Sequence, residues 1–279
     1  AIWKNFAISD TLEPGSTFKP LVVASALEEG VISMNDTFYC EGYRMIGGHK
    51  IRCHKRSGHG QINVEQALAK SCNMAMIDIA NKLGKEKFYK YQKDFGFGEK
   101  TGIDLYGEVD ASNLMYPLER INSTELATIS FGQGFNATAL QSIMGFATVI
   151  NGGNLMKPYL VSQIVDENGK VLKENSPKIQ RKVLTNETSE ALRKAMVATV
   201  GEGGTGKKSV IQGYSLAGKT GTAQQGKREN KVYSLSFMAY LADNPEYLAL
   251  AIIDKPKNYS DGVISPVPMI RELYLKLIN

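Results

Sequence analysis

Two short stretches carry side chains whose types and spacing suit nucleophilic catalysis. One is Glu13-Pro14-Gly15-Ser16-Thr17-Phe18-Lys19-Pro20; the other, far downstream, is Lys219-Thr220-Gly221-Thr222. Ser16 and Lys19 stand at i and i+3, so a helix that starts at Ser16 projects both from one face. A serine hydroxyl attacks well only when a base removes its proton. Lysine serves as that base only when burial or another cation lowers its pKa. Lys219 is a candidate for that second cation. The spacing permits an activated serine, although S-x-x-K alone carries little weight: about one match is expected by chance in a chain this long.

The elements that must position these groups can be read from the surrounding pattern. The apolar run Leu21 to Leu27 stops at Gly30 and reads as a buried helix, with Pro20 tolerated near its start. Ser16 then lies at a helix N-terminus, where the dipole favours developing negative charge. Tyr43 to Ile46 and Lys50 to Cys53 flank the turn dipeptide Gly47-Gly48 as a hairpin. A helix runs from Asn63, with Gln66 as capping partner, to the polar trio Ser71-Cys72-Asn73, and a second runs from Met74 to Leu83. Taken alone, that trio reads as a helix-helix junction. Residues 85–95 form an amphipathic helix, 97–122 are turn-rich, and Thr138 with Gln141 opens a helix that ends at Asn151-Gly152-Gly153. A hairpin through Asn168-Gly169 and a helix over 187–200 follow. Strands at Ser215–Ala223, Tyr233–Leu241 and Tyr247–Ile253 precede a final helix near 267–277. The pattern predicts α+β, with helices packed on an antiparallel sheet.

Two site readings compete. Gly213 to Thr220 matches the P-loop pattern G-x-x-x-x-G-K-[ST], and Asp254 after an apolar strand imitates a magnesium-holding aspartate. A P-loop needs a helix directly after it so that amides converge on phosphate, yet Thr220 is followed by Gly221-Thr222-Ala223-Gln224-Gln225-Gly226. A nucleotide hydrolase is therefore the remote alternative. The other reading joins Ser16-x-x-Lys19, Ser71-x-Asn73 and Lys219-Thr220-Gly221, the trio shared by serine β-lactamases and penicillin-binding proteins.

The phrases around that trio extend the likeness nearly end to end. They include Ile8-Ser9-Asp10, Gly58-His59-Gly60, Gly132-Gln133-Gly134, Asn151-Gly152-Gly153, Gly218 to Ala223, Ser236-Phe237 and Asp254-Lys255-Pro256. The chain resembles the transpeptidase domain of class B penicillin-binding proteins, most closely the cell-division and sporulation types of Gram-positive spore formers. The resemblance implies an antiparallel sheet flanked by helices plus an all-helical subdomain, across residues 1–279. It also implies a serine D,D-transpeptidase that cross-links peptidoglycan stem peptides and is acylated by β-lactams. In that scheme Ser16 attacks, Lys19 takes its proton, Ser71 relays a proton to the leaving amine, and Asn73 holds substrate and Lys19. Lys219 supplies positive potential; Thr220, Gly221 and Thr222 bind substrate; the amides of Ser16 and Thr222 form the oxyanion hole. A β-lactam sensor and a serine β-lactamase are the alternatives, although no E-x-x-L-N segment of class A hydrolases is present. Relatives begin well upstream of the nucleophile, whereas fifteen residues precede Ser16. A fragment is therefore expected, lacking the membrane anchor, the pedestal and the start of the domain. The same resemblance implies action on the extracytoplasmic face of the cell membrane, with a glycosyltransferase partner.

Composition adds bounds. The 279 residues are 43% hydrophobic and carry a net charge of +5 spread along the chain, which argues against nucleic acid as a partner. No apolar run reaches the length of a membrane span. Three cysteines, Cys40, Cys53 and Cys72, do not make a disulfide framework; the chemistry requires no cofactor, but Cys40 and Cys53 raise the question of a metal. The hairpin register sets Cys53 opposite Gly42 and makes Cys40 its diagonal neighbour. A structural zinc, a disulfide and free thiols all suit that arrangement. His54 stands where relatives carry tryptophan; it and Asp36, with His49 and His59 nearby, are the extra ligands a zinc on Cys40 and Cys53 needs.

Overall fold

The computed structural model describes residues 4–225, 232–257 and 264–278. The described chain opens with α1 (Phe6–Ser9), β1 (Thr11–Leu12) and a 3-10 turn (Gly15–Phe18) that runs straight into α2 (Lys19–Glu28). Every residue of α2 from Lys19 to Ala26 is buried. A helix apolar on all sides must be enclosed on all sides, and each fully buried Leu or Val contributes about 1.5–3 kcal/mol. That enclosure makes α2 a fixed platform for whatever sits at its N-terminus.

Around it lie two β ribbons and three helices. β2 (Thr37–Cys40) pairs antiparallel with β5 (Gly60–Asn63), while β3 (Tyr43–Ile46) and β4 (His49–Arg52) form the expected hairpin. Gly47 and Gly48 both have positive φ, as a two-residue hairpin turn requires. α3 (Val64–Ala69) starts at the Asn63/Gln66 capping box; α4 (Asn73–Leu83) and α5 (Lys85–Asp94) follow across Gly84. The helical subdomain thus carries β ribbons beside its helices.

α6 (Ser123–Ile129), β6 (Ala137–Thr138) and α7 (Ala139–Ile150) come next, with the Thr138/Gln141 capping box in place. β6 closes back on β1. β7 (Asn154–Lys157), β8 (Gln163–Val165), β9 (Val171–Glu174) and β10 (Lys178–Lys182) form two further ribbons, β8 with β9 and β10 with β7. α8 (Asn186–Ala195) leads through a 3-10 stretch to the main sheet of β11 (Leu216–Gln225), β12 (Val232–Leu241) and β13 (Leu248–Asp254), in that order and antiparallel. α9 (Val267–Ile278) closes the described chain.

The central strand β12 is buried without alternation from Ser234 to Tyr240 because both faces are covered. On one face Phe237 and Ala239 meet Val267, Ile270 and Tyr274 of α9. On the other, Met238 and Tyr240 join the core built around α2 and α4. The fold is α+β. β11 is one of the two edge strands, and its outer side lies beside the 3-10 turn that precedes α2.

Candidate active site

Ser16 lies in the 3-10 turn, half-buried, directly before fully buried Lys19. Such a turn stacks i over i+3, so the pair shares a side. The turn is gripped from two directions. The Gly15 amide donates to the Gly132 carbonyl at 2.9 Å, and the Gly134 amide donates to Glu13 Oε1 at 2.8 Å. Gly132 has φ +82°, and a Cβ there would stand 1.9 Å from the Gly15 carbonyl oxygen. From the other direction, a Cβ on Gly221 of β11 would meet Ser236 Oγ at 2.3 Å, Thr17 Cγ2 at 3.0 Å and the Pro14 carbonyl oxygen at 3.2 Å. Only a bare backbone lets strand and turn approach so closely.

Lys19 reaches across to the α3–α4 junction. Its Nζ donates to the Ser71 carbonyl at 2.6 Å, to Ser71 Oγ at 3.0 Å and to Asn73 Oδ1 at 2.8 Å. Asn73 is held in turn, its Nδ2 donating to the Arg52 carbonyl at 3.1 Å. Burial lowers the Lys19 amine from its ordinary 10.5 to about 8, against an opposing pull from Cys53, Cys72 and Cys40. Burial first, and repulsion from Lys19 second, push Lys219 well below its ordinary value. The two amines therefore share a dry environment, and it is mainly burial that lowers the Lys19 pKa.

β11 presents Lys219, Thr220 and Thr222 in sequence. Lys219 is fully buried with Nζ 3.2 Å from the Thr220 carbonyl oxygen. Thr220 Oγ1 donates to Thr205 Oγ1 at 2.7 Å, and the Thr205 amide donates to the Ala69 carbonyl at 3.3 Å. Thr205 belongs to the glycine-rich segment 201–206 and was not anticipated as a site residue. Glycines spaced around a single hydroxyl were the only signal in the sequence, and they also suit an ordinary loop. The carbonyl oxygen of Thr222 lies 3.0 Å from where a Gly15 Cβ would be, so it faces the Ser16 turn. In an antiparallel strand a residue's N–H and C=O share one edge, so the Thr222 amide points the same way. The arrangement brings a hydroxyl, a buried amine, a relay hydroxyl and an edge strand together, which suits acyl transfer to or from an extended peptide.

Residues 2–273 match the family described as Penicillin binding protein transpeptidase domain. The chain belongs to that family. Similar members include Stage V sporulation protein D of Bacillus subtilis, 40% identical over 95% of this chain and 42% of its own length. PbpB of Mycolicibacterium smegmatis is 30% identical over 96% of this chain and 43% of its own length. The chain thus spans less than half the length of these relatives. Penicillin binding protein 3 of Mycobacterium tuberculosis, solved in complex with aztreonam, superposes with a TM-score of 0.88 at 28% identity. That superposition covers 98% of this chain and 64% of the other. The class B resemblance and the α+β fold expected from the sequence both hold.

Within this transpeptidase domain the Gly213–Thr220 P-loop pattern dissolves into strand. Lys219 sits inside β11, which continues as strand to Gln225, through the residues where a P-loop's helix has to begin. The cleft lined by Phe95, Glu99, Thr101, Gln141 and Leu155 shares no residue with the catalytic cluster. The cysteines do converge, but not with the expected partners. Cys40, Cys53, His59 and Cys72 bring one ligand atom each to within 4.8 Å of one another. Asp36 instead pairs with Lys82 at 3.0 Å and accepts from Ser33 at 2.8 Å, and it is absent from the cluster. His54 approaches Cys53 at 3.9 Å and packs beside His59, ring centroids 5.1 Å apart, without joining the mutual set. The chain reverses after Cys53 and carries His59 back towards β2, while Cys72 arrives from the α3–α4 junction.

Proposed function

We propose that the chain is the catalytic part of a serine D,D-transpeptidase that cross-links peptidoglycan stem peptides and is acylated by β-lactams. The carrying observation is the Lys19 amine, fully buried, lowered to about 8 and held by Ser71 and Asn73 next to the Ser16 turn. Neutral Lys19 takes the Ser16 proton as Oγ attacks the carbonyl between two D-alanines. The amides of Ser16 and Thr222 receive the developing oxyanion, and Lys219 with Thr220 and Thr222 holds the substrate carboxylate. As the tetrahedral intermediate collapses, the proton held by Lys19 passes through Ser71 Oγ to the leaving D-alanine amine, and Lys19 is neutral again. An amine of a second stem peptide then attacks the acyl-enzyme; its proton is taken up by Lys19 and handed to Ser16 Oγ as the ester bond breaks, so that Lys19 and Ser16 return to their starting states. These steps use protein groups alone.

By the same reading the domain works at the extracytoplasmic face of the membrane, anchored there by the longer protein and beside a glycosyltransferase. Among the described residues, no helix is long and apolar enough to cross a membrane. The test is intact-mass and peptide mass spectrometry after incubation with a fluorescent penicillin. A stable adduct on Ser16, absent from Ser16→Ala, is the expected result. Labelling of Ser16→Ala at the normal rate would remove Ser16 as nucleophile. Rapid hydrolysis of the adduct would point to a β-lactamase, and an adduct without turnover of a stem-peptide pair to a sensor.

A further inference from the structure

We infer that Arg52, Lys55, Arg56 and Lys70, with Lys207 beside Thr205, form a cationic rim that recognises a second anionic group on the acyl donor. The inference rests on the transpeptidase reading, in which Lys219, Thr220 and Thr222 hold the donor's terminal carboxylate. Three stretches far apart in the sequence build the rim: residues 51–60 after the β3–β4 turn, 66–73 at the α3–α4 junction, and 203–210 beside β11. They carry Arg52, Lys55, Arg56, Lys70, Lys207 and Lys208 and no carboxylate. Arg52, Lys55, Arg56 and Lys207 are exposed, and Lys70 is half-buried. Among the described residues, none of these five forms an ion pair.

Each stretch is tied to the site by a bond that fixes where its charges sit. The Arg52 carbonyl accepts from Asn73 Nδ2 at 3.1 Å, so the first stretch lies against a residue that holds Lys19. Lys70 directly precedes Ser71 and ends α3, its amide donating to the Gln66 carbonyl at 2.9 Å. The Thr205 amide donates to the Ala69 carbonyl, and Thr205 Oγ1 accepts from Thr220 Oγ1 at 2.7 Å. Lys207 thus stands two residues from the contact that joins β11 to α3. The loops themselves are closely packed. A Cβ on Gly42 would stand 2.1 Å from the Arg56 carbonyl oxygen, and one on Gly204 would stand 2.2 Å from that of Thr199. The Gly206 amide also donates to the Thr199 carbonyl, at 2.7 Å. Backbone placed in advance spares part of the ordering cost of binding.

Like charges gathered without counter-charges repel one another, and a cleft rimmed by one sign attracts the other. An anion bound there offsets the repulsion. The chemistry of the donor says where that anion must lie. Its leaving group is a single D-alanine, whose one carboxylate is held by β11. A second carboxylate can therefore belong only to the peptide that precedes the scissile bond. The rim selects acyl donors whose retained portion is itself acidic.

Benzylpenicillin and carbenicillin share one scaffold and differ by a carboxylate on the acyl side chain. Labelling of Ser16 by benzylpenicillin tests the transpeptidase reading; the ratio of the two acylation rate constants, carbenicillin over benzylpenicillin, tests the rim. In the unmutated chain that ratio should fall about tenfold as salt rises from about 20 mM to about 500 mM. At low salt, Arg52→Gln, Lys207→Gln and the pair Lys55→Gln with Arg56→Gln should each lower it several-fold, whereas Arg52→Lys should keep it. Lys173→Gln, on the exposed β9 strand, should leave it unchanged. A variant that packs poorly slows both penicillins together, so the ratio stays readable, and the salt titration needs no variant at all. A ratio indifferent to salt would overturn the rim. An equal fall in Lys173→Gln would overturn it too, because net charge alone would then account for the effect.

Discussion

In the mechanism proposed above, Lys19 carries the proton chemistry on one buried nitrogen. An ammonium enclosed by protein is costly, and lowering its pKa from 10.5 to about 8 corresponds to roughly 3 kcal/mol of opposition to the charged form. Three hydrogen bonds, to the Ser71 carbonyl, Ser71 Oγ and Asn73 Oδ1, offset part of that cost. The reward is a base that is about one-tenth neutral at pH 7. Acylation of Ser16 by penicillin should therefore rise about tenfold per pH unit up to about pH 8 and level off above it. A flat profile from pH 6 to 9 in stopped-flow measurements would show that Lys19 is not the titrating base. The linkage to stability has the opposite origin and a definite sign. Between about pH 8 and 10.5 the unfolded chain holds a proton on Lys19 that the folded chain lacks, so this group adds stability as pH rises through that window.

At the scale of elements, the α3–α4 junction shows how a structural motif has been adapted to hold a reactive group. The Cys72 amide bonds the Ala67 carbonyl at 2.9 Å and the Ser71 amide bonds that of Leu68 at 3.1 Å, the two bonds of a Schellman helix end. The left-handed position in that motif ordinarily belongs to glycine, but here it is Ser71, with φ 50°. A hydroxyl is held where the backbone prefers none, at a cost on the order of 1 kcal/mol. Ser71→Gly should therefore match or exceed the unmodified chain in thermal stability while acylation falls by orders of magnitude. A calorimetric Tm several degrees lower would instead show that the Ser71 side chain is chiefly structural.

For the molecule as a whole, the Ser16 turn is a junction of distant segments, with Gly132 on one side, β11 on the other and α2 beneath. Gly132→Ala forces a Cβ into a 1.9 Å approach at an unfavourable φ, so it should cost more than about 2 kcal/mol and slow acylation together with stability. Urea unfolding at pH 7 checks the first effect, and normal stability with normal labelling would contradict the close approach. Much of this architecture was legible beforehand. The Asn63/Gln66 and Thr138/Gln141 capping boxes, the Gly47-Gly48 hairpin and the three long strands follow from local rules, because each rests on contacts within a few residues. The S-x-x-K, S-x-N and K-T-G order was equally plain along the chain. The two-residue pair β1–β6 was not, since so short a strand has no period to read and exists only through its partner. Local pattern likewise could not select His59 and Cys72 over His54 and Asp36, or reveal Thr205 behind Thr220. Those choices depend on how loops reverse and where helices dock, and it is packing around α2 that decides them.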